Sequence, residues 1–327
     1  MKIQEQLAKE FQVKLAQVEN TIALIDEGNT IPFIARYRKE ATGALTDVQL
    51  RDIGERLSYL RGLEERKEEV KRLIAEQGKL TEELSDEIDK AEVLQRVEDL
   101  YKPYKQKKAT RASKAREKGL EPLALLLLAQ KEEASSPEEA ERVLTALAEP
   151  FVGETSDAAK AAAEAGAEPV KTAAEALAGA CDIIAERISD DAEMMALVRE
   201  MTQKSGQMVS EAVDPEEKTV YDMYYEYSEG ISKIPNHRVL AVNRGEKEKK
   251  LKVKVTVPVE TILSAIAERI VTSEKAAARA MLSETIADAY KRLIAPSVER
   301  EMRNLLTERA EAEATKIFAK NTEKLLM

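Results

Sequence analysis

Apolar residues recur along most of the chain at the three- and four-residue intervals of amphipathic helices. The first such stretch, residues 3–28, is interrupted near Phe11, which predicts two short helices joined by a turn. The pair is similar in outline to a helix-turn-helix, but an ordinary helical hairpin explains the same pattern with fewer assumptions. Pro32 begins a third short helix with an apolar side and a basic side, the latter formed by Arg36, Arg38 and Lys39.

A long helix is predicted next. Thr46 and Gln49 have the spacing of a capping box, in which their side chains satisfy two free N–H groups at a helix start. The helix should end at Gly78, and its mixed charges are typical of solvated faces. Its buried stripe repeats at helical spacing: Leu50, Ile53, Leu57, Leu60 and Leu63.

Residues 135–180 are rich in Ala and Glu and are interrupted by Pro and Gly, which predicts short helices and turns. A strong helix then covers 173–188, with Cys181 as a small core residue. Residues 251–257 alternate apolar and polar side chains and give the clearest strand signal. Their pairing candidate is the segment 207–213.

The helical pattern returns after Val259, and Pro296 is predicted to begin a final helix of about 30 residues. The chain should therefore be mainly α: a multi-helical N-terminal region, a small α+β insertion and long C-terminal helices. Composition agrees, because only 4% of residues are aromatic while 43% are hydrophobic. The domains expected from these patterns are 1–205, 206–258 and 259–327.

Composition also restricts the chemistry. With one Cys and one His, a disulfide framework or a zinc cluster is excluded, and no Gly-rich phosphate loop or nucleophile elbow is present. We therefore expect no enzyme activity and no catalytic, cofactor or metal site. His237 should have a structural role. No stretch approaches the roughly 18 apolar residues of a membrane span, so we expect a cytoplasmic protein without a membrane partner.

Positive charge is concentrated in one segment. Residues 102–118 carry eight Lys and Arg against Glu117 alone, a local charge of +7 in a chain of −10. A nucleic-acid partner fits this positive charge, and the Thr110 and Ser113 hydroxyls could donate further hydrogen bonds to phosphate oxygens. The alternative is that the segment neutralises acidic neighbours inside the protein. The candidate nucleic-acid-binding residues are Lys102, Tyr104, Lys105, Lys107, Lys108, Arg111, Lys114, Arg116 and Lys118.

Two other sets have ordinary explanations. The basic run 238–254 could contact nucleic acid, but its residues could equally form the solvent-exposed face of the predicted strand. Four tyrosines could stack on bases, yet their spacing favours a local core beneath the insertion: Tyr221, Tyr224, Tyr225 and Tyr227.

Several strings of the sequence carry a family resemblance. Residues 26–40, 98–105 and 115–124 closely resemble the N-terminal region of the bacterial Tex family of transcription accessory proteins. Further matches extend the resemblance over essentially the whole chain: residues 176–180, 182–186, 233–238 and 244–246.

The resemblance implies a longer protein, in which an RNase H-like domain, helix-hairpin-helix elements and an OB-fold RNA-binding domain follow. We therefore expect this chain to be an N-terminal fragment that binds nucleic acid, RNA in preference to DNA, near the transcription machinery. RNA polymerase or its associated proteins, and the family's C-terminal domains, are the other partners implied. The alternative is a protein-interaction scaffold without direct nucleic-acid contact; a nuclease would need carboxylates from the domains that follow.

Overall fold

Helices dominate the parts of the chain that the computed structural model describes, residues 2–105 and 109–326. The exception is a three-stranded antiparallel sheet, so the predicted mainly α fold is confirmed. The chain forms two compact units, Met1–Tyr104 and Lys105–Met327. The finer division into 1–205, 206–258 and 259–327 stays a prediction. None of the described helices combines the length and the apolar character needed to cross a membrane.

Six helices form the first unit within its described residues, and a 3-10 turn, Lys102–Tyr104, follows them. Gln12, with a positive φ of 53°, makes the turn between the first two helices without a glycine. The core of the unit forms where the first three helices pack on the fourth. The helices are α1 (Ile3–Glu10), α2 (Leu15–Asp26), α3 (Ile31–Tyr37), α4 (Asp47–Glu76), α5 (Glu82–Lys90) and α6 (Leu94–Tyr101).

The long helix α4 has the start and the buried stripe that the sequence predicts. Thr46 Oγ1 accepts a hydrogen bond from the Gln49 N–H (3.2 Å), and Gln49 Oε1 accepts one from the Thr46 N–H (3.0 Å). The helix ends at Glu76, just before Gly78 takes a positive φ of 67°. All five predicted stripe residues are buried, and Val70 and Ile74 continue the stripe.

The second unit is built around helix α11. Its small residues let neighbouring helices approach closely: a Cβ added at Gly179 would lie 2.4 Å from Leu120 Cδ1. Short helices do form in the Ala/Glu-rich stretch, as predicted. In chain order the helices are α7 (Arg111–Glu117), α8 (Glu121–Ala129), α9 (Pro137–Ala148), α10 (Asp157–Ala165), α11 (Ala173–Asp190), α12 (Ala192–Ser205), α13 (Asn236–Lys247), α14 (Val259–Ile270), α15 (Arg279–Ala289) and α16 (Ala295–Leu326).

The sheet has the order β2-β1-β3, with both pairs antiparallel: β1 (Gln207–Ala212), β2 (Glu226–Gly230) and β3 (Leu251–Thr256). Val209 of β1 lies opposite Ser228 on one side and Lys254 on the other. The predicted pairing of the 207 and 251 segments is confirmed. The sequence did not predict β2, because its residues lack a clear apolar alternation.

The C-terminal helices form one continuous helical segment. Helix α15 passes through a π-helical turn, Tyr290–Ile294, directly into α16. The prediction that Pro296 begins a new helix is therefore wrong. Proline lacks an N–H and cannot donate to the preceding turn, and the π-helical turn just before it accommodates this loss without ending the helix.

Candidate nucleic-acid interface

Part of the predicted basic segment is the short helix α7. Thr110 Oγ1 accepts a hydrogen bond from the Ser113 N–H (3.0 Å), and Ser113 Oγ accepts one from the Thr110 N–H (2.8 Å). The Thr110 hydroxyl donates to Glu186 Oε1 (3.0 Å), and the Ser113 hydroxyl donates to the Thr110 carbonyl (3.0 Å). The expectation that these hydroxyls contact phosphate oxygens is therefore corrected: they cap the helix and hold it on α11.

Arg116 points toward acidic residues of its own unit. Its guanidinium contacts the nearly buried Glu186 carboxylate (2.6 Å) and the Glu121 carboxylate (2.8 Å). Burial is the largest single influence and lowers the pKa of Arg116, but the hydrogen bonds and charges of Glu186 and Glu121 together outweigh it, so the pKa is raised overall. This cation neutralises carboxylates of its own unit, as the alternative explanation of the basic segment requires, and its assignment to a nucleic-acid site stays a prediction.

Lys118 is used in the same way. Its Nζ lies 2.6 Å from Glu175 Oε1, and this hydrogen bond is the main cause that lowers the pKa of Glu175. The second carboxylate oxygen of Glu175 accepts a hydrogen bond from the Lys171 N–H (3.0 Å). Lys118 therefore fastens the end of α7 to the start of α11, and it is not available to a phosphate without breaking this ion pair.

Close packing fixes α7 on its inner side. Ala112 and Ala115 are buried in the core around α11. The turn after α7 passes so close to α10 that a Cβ added at Gly119 would lie 2.8 Å from Ala158 Cα. Gly119 also has a positive φ of 72°, which favours glycine. The Ala-rich stretch thus has a structural role: its small residues support α7.

The outer side of α7 presents the remaining cations. Arg111 and Lys114 are both exposed, and neither forms an ion pair with another described residue. Arg111 acts at longer range on two acidic residues. The hydrogen bond from Arg292 is the main cause that lowers the pKa of Asp288, and the charge of Arg111 adds to this effect. Burial raises the pKa of Asp182, and the charges of Arg292 and Arg111 oppose it. We call Arg111 and Lys114 the outer cations of α7.

The other candidates lie before α7. Lys102 and Tyr104 are half-buried in a 3-10 turn of the first unit, where the Tyr104 carbonyl accepts a hydrogen bond from Gln77 Nε2 (2.9 Å). Lys105 is exposed at the start of the second unit. The predicted residues Lys107 and Lys108 lie outside the described residues.

The second basic run, residues 238–254, includes the solvent-exposed face of the predicted strand, as the simpler explanation expected. Lys252 and Lys254 are exposed on β3 and alternate with apolar neighbours, as the wet face of a strand should. Three ion pairs use cations of this run: Arg238 with Glu229 (2.8 Å), Lys250 with Glu217 (2.5 Å) and Lys254 with Glu211 (2.9 Å).

The tyrosines of the insertion belong to its core, as predicted. Tyr221 and Tyr224 are buried, and Tyr224 packs edge-to-face against Tyr227 with ring centroids 5.2 Å apart. Burial is the main cause that raises the pKa of Tyr227 to about 12. Its hydroxyl hydrogen-bonds the Glu229 carboxylate, so the polar end of this ring has a partner within the insertion.

No group of three or more His, Cys, Asp or Glu side chains suited to a metal ion occurs among the described residues. Cys181 is half-buried on α11, and burial is the main cause that raises its thiol pKa. His237 lies exposed near the start of α13.

Two family models match the chain. The Tex-like protein N-terminal domain matches residues 1–75, and the Tex central region matches residues 153–318. The chain belongs to the Tex family. The second match covers α10 to α15, the three-stranded sheet and most of α16, so it includes Glu175 and Glu186, two of the carboxylates that hold α7 in place.

Tex relatives align over almost the full chain. YdcI of Bacillus subtilis (strain 168), an uncharacterized protein, is 45% identical over 328 residues, which cover 99% of this chain and 43% of YdcI. The transcriptional accessory protein Tex of Neisseria gonorrhoeae is 36% identical over 337 residues, or 100% of this chain and 41% of that protein. S1 RNA-binding domain-containing protein 1 of Homo sapiens is 30% identical over 323 residues, which cover 94% of this chain and 30% of that protein. The chain thus spans about two fifths of the length of these bacterial relatives.

Proposed function

We propose that this Tex chain binds single-stranded nucleic acid weakly and without sequence preference, RNA in preference to DNA, close to the transcription machinery. The observation that carries the proposal is the division of charge on α7. Its inward cations are held by carboxylates, whereas Arg111 and Lys114 face solvent on a helix that cannot easily move. Fixed, exposed cations suit contacts to phosphate oxygens, which carry no base information.

The relatives support this choice of ligand. One relative is named a transcriptional accessory protein, and another is named for an S1 RNA-binding domain. We further propose that the chain acts by binding and not by catalysis, with RNA polymerase or its associated proteins as neighbours. Most of the affinity in a complete family member would then come from regions outside this chain.

The test is a binding titration with a fluorescent single-stranded RNA of about 12 nucleotides, a length in the range of known binding sites. The variant Arg111→Gln/Lys114→Gln removes both outer cations without introducing negative charge. At about 20 mM salt, we expect it to weaken affinity roughly tenfold, because two phosphate contacts are lost.

A matched variant separates a local site from a general charge effect. Lys131→Gln/Lys275→Gln removes two exposed lysines elsewhere in the same unit. It changes the net charge by the same amount and should leave affinity nearly unchanged. Equal losses in both double variants, or no loss in either, would contradict the proposed contact at α7.

A protein-interaction scaffold is the second candidate, and exposed apolar side chains favour it. Leu125 and Leu126 lie side by side on α8 and are both nearly half exposed. Neighbouring exposed leucines are typical of surfaces that contact other proteins. If the outer cations prove irrelevant to RNA while Leu125→Ser/Leu126→Ser abolishes copurification of RNA polymerase subunits, the scaffold is the better description.

A further inference from the structure

Helix α3 packs on the other helices of the first unit through one side only. Ile34 is fully buried, and Ile31 reaches α4 at Gly54, where an added Cβ would lie 3.3 Å from Ile31 Cδ1. These two residues are three apart and therefore share the inner side of the helix. Their packing fixes which side of α3 faces outward.

Two aromatic rings occupy the outward side. Phe33 is 37% exposed and Tyr37 is 61% exposed, and their ring centroids lie 5.1 Å apart at an interplanar angle of 46°. The Arg38 guanidinium carbon lies 5.5 Å from the Phe33 ring centroid. Two neighbouring rings left in solvent lose the energy that burial would give them, so they suggest a binding role.

The same surface is basic. Arg36, Arg38 and Lys39 are all exposed, and no described residue forms an ion pair with any of them. Glu40 is the acidic residue that directly follows them in sequence. The region thus concentrates positive charge in a chain whose net charge is −10. We call Phe33, Tyr37, Arg36, Arg38 and Lys39 the aromatic-basic face.

The backbone that follows α3 is held in place by α2. Asn20 Nδ2 donates to the Ala41 carbonyl (2.8 Å), and Gln17 Nε2 donates to the carbonyls of Thr42 (3.2 Å) and Gly43 (3.0 Å). The Thr42 side chain is fully buried. These amide contacts keep the backbone near Arg38 and Lys39 from being a loose loop, which reduces the entropy lost on binding.

We propose that the aromatic-basic face is a stacking platform for single-stranded nucleic acid, with bases on Phe33 and Tyr37 and phosphates on the three cations. The combination carries the choice of ligand: flat exposed rings accept bases of any sequence, and unpaired cations at their edge match a phosphate backbone. The proposal takes its ligand class from the proposed function, and it adds a second site on the other unit of the chain.

The test compares two oligonucleotides and two proteins. One ligand is a single-stranded thymidine oligomer of about 12 nucleotides, and the other is an abasic oligomer with the same number of phosphates. Wild-type protein should bind the thymidine oligomer roughly tenfold more tightly, because only that ligand can stack. In Phe33→Leu/Tyr37→Leu the two affinities should become nearly equal, since leucine keeps apolar bulk but removes the rings.

Two controls test whether the effect is specific to the rings, and a third variant tests the cations. Phe318→Leu removes a ring that is 73% exposed on α16, and it should leave the preference for bases intact. The double variant should melt close to the wild-type temperature, because leucine keeps apolar contacts for the covered part of Phe33 and because Tyr37 is 61% exposed. Arg36→Gln/Arg38→Gln should weaken both ligands alike and reduce the salt slope by about 1.4, or about 0.7 for each phosphate.

The results distinguish this proposal from the one on α7. A base preference that survives in Phe33→Leu/Tyr37→Leu overturns the stacking platform, even if Arg111→Gln/Lys114→Gln weakens binding and so supports the α7 site. Loss of the base preference with an unaffected α7 variant supports the platform and contradicts the α7 site. If wild-type protein binds neither oligomer at low salt, both proposals fail, and an acidic protein surface becomes the better partner for this face.

Discussion

Individual carboxylates form ion pairs with some cations of the basic segment and so determine which cations remain accessible to a ligand. Glu186 and Glu175 take up Arg116 and Lys118, while Arg111 and Lys114 remain exposed. Neighbours only seven residues apart in sequence thus have opposite roles. Charge density in the sequence cannot separate them, because both acidic partners lie more than 50 positions away along the chain.

Replacing Arg116 tests the inward role. Arg116→Gln should lower the free energy of unfolding by about 1–2 kcal/mol, because it leaves the nearly buried Glu186 with fewer partners. Arg51→Gln breaks an exposed ion pair with Asp47 and should cost less than about 0.5 kcal/mol. Urea denaturation of both variants measures the difference, and RNA affinity should not change in either. An Arg116→Gln protein of unaltered stability and weakened RNA binding would contradict the assignment.

The ion pair of Lys118 and Glu175 predicts a pH dependence. The Lys118 hydrogen bond lowers the pKa of Glu175 below its usual 4.5, so this carboxylate stabilises the fold when ionised. The contribution is full well above pH 4.5 and is lost as pH falls through the lowered pKa. Lys118→Gln should therefore cost up to about 1 kcal/mol near pH 7 and almost nothing near pH 3. Urea denaturation at both pH values checks this, and an equal cost at both would contradict it.

At the scale of elements, α7 depends on the tight turn that follows it. Gly119→Ala should destabilise the protein by at least about 2 kcal/mol, because it forces a positive φ and a clash with the α10 backbone. Gly62→Ala is the matched change on the exposed side of α4, where nothing lies within 4 Å of the added atom. It should stabilise by about 0.5–1 kcal/mol. Thermal unfolding followed by circular dichroism compares them, and similar shifts would refute this description of the turn.

Helix α16 is covered along only part of its length. Its 32 residues extend about 48 Å, and a buried stripe ends at Ala310, after which residues 311–321 are all exposed. Amide hydrogen exchange should be at least about tenfold faster over 311–321 than over 298–310. Uniform protection along the whole helix in a monomer would contradict it.

Local signals made most elements predictable. Some features depend only on residues a few positions apart, so the sequence could predict them: the capping box of Thr46, the buried stripe of α4 and the alternation in β3. The elements that escaped prediction depend on distant neighbours. Strand β2 pairs only because β1 is beside it, and the helix continues past Pro296 because a π-helical turn absorbs the missing hydrogen bond.

The candidate site was predictable only in part, for the same reason. The segment and its positive charge could be read directly from the sequence, whereas the short helix α7 was not predicted. The use of the Thr110 and Ser113 hydroxyls could have been predicted from their three-residue spacing before a helix, which is the spacing of a cap. The pairing of Arg116 with Glu186 and of Lys118 with Glu175 could not be predicted, since both carboxylates come from α11.

At the scale of the whole molecule, net charge sets the conditions for binding. A chain of −10 repels a polyanion at long range, so affinity must come from short-range contacts at a few exposed cations. Such binding should be measurable at low salt and marginal at physiological salt.

The central claim is that this chain contacts phosphates directly, and the salt dependence of RNA affinity tests it most directly. Fluorescence anisotropy with a single-stranded RNA of about 12 nucleotides, from about 20 to about 200 mM salt, gives the slope of log affinity against log salt. At about 0.7 per phosphate, the two outer cations of α7 alone predict a slope near −1.4, and these two with the three cations of the aromatic-basic face predict a slope near −3.5. The slope should be smaller by about 1.4 in Arg111→Gln/Lys114→Gln. An absence of binding at the lowest salt, or an affinity that does not change with salt, would contradict the claim.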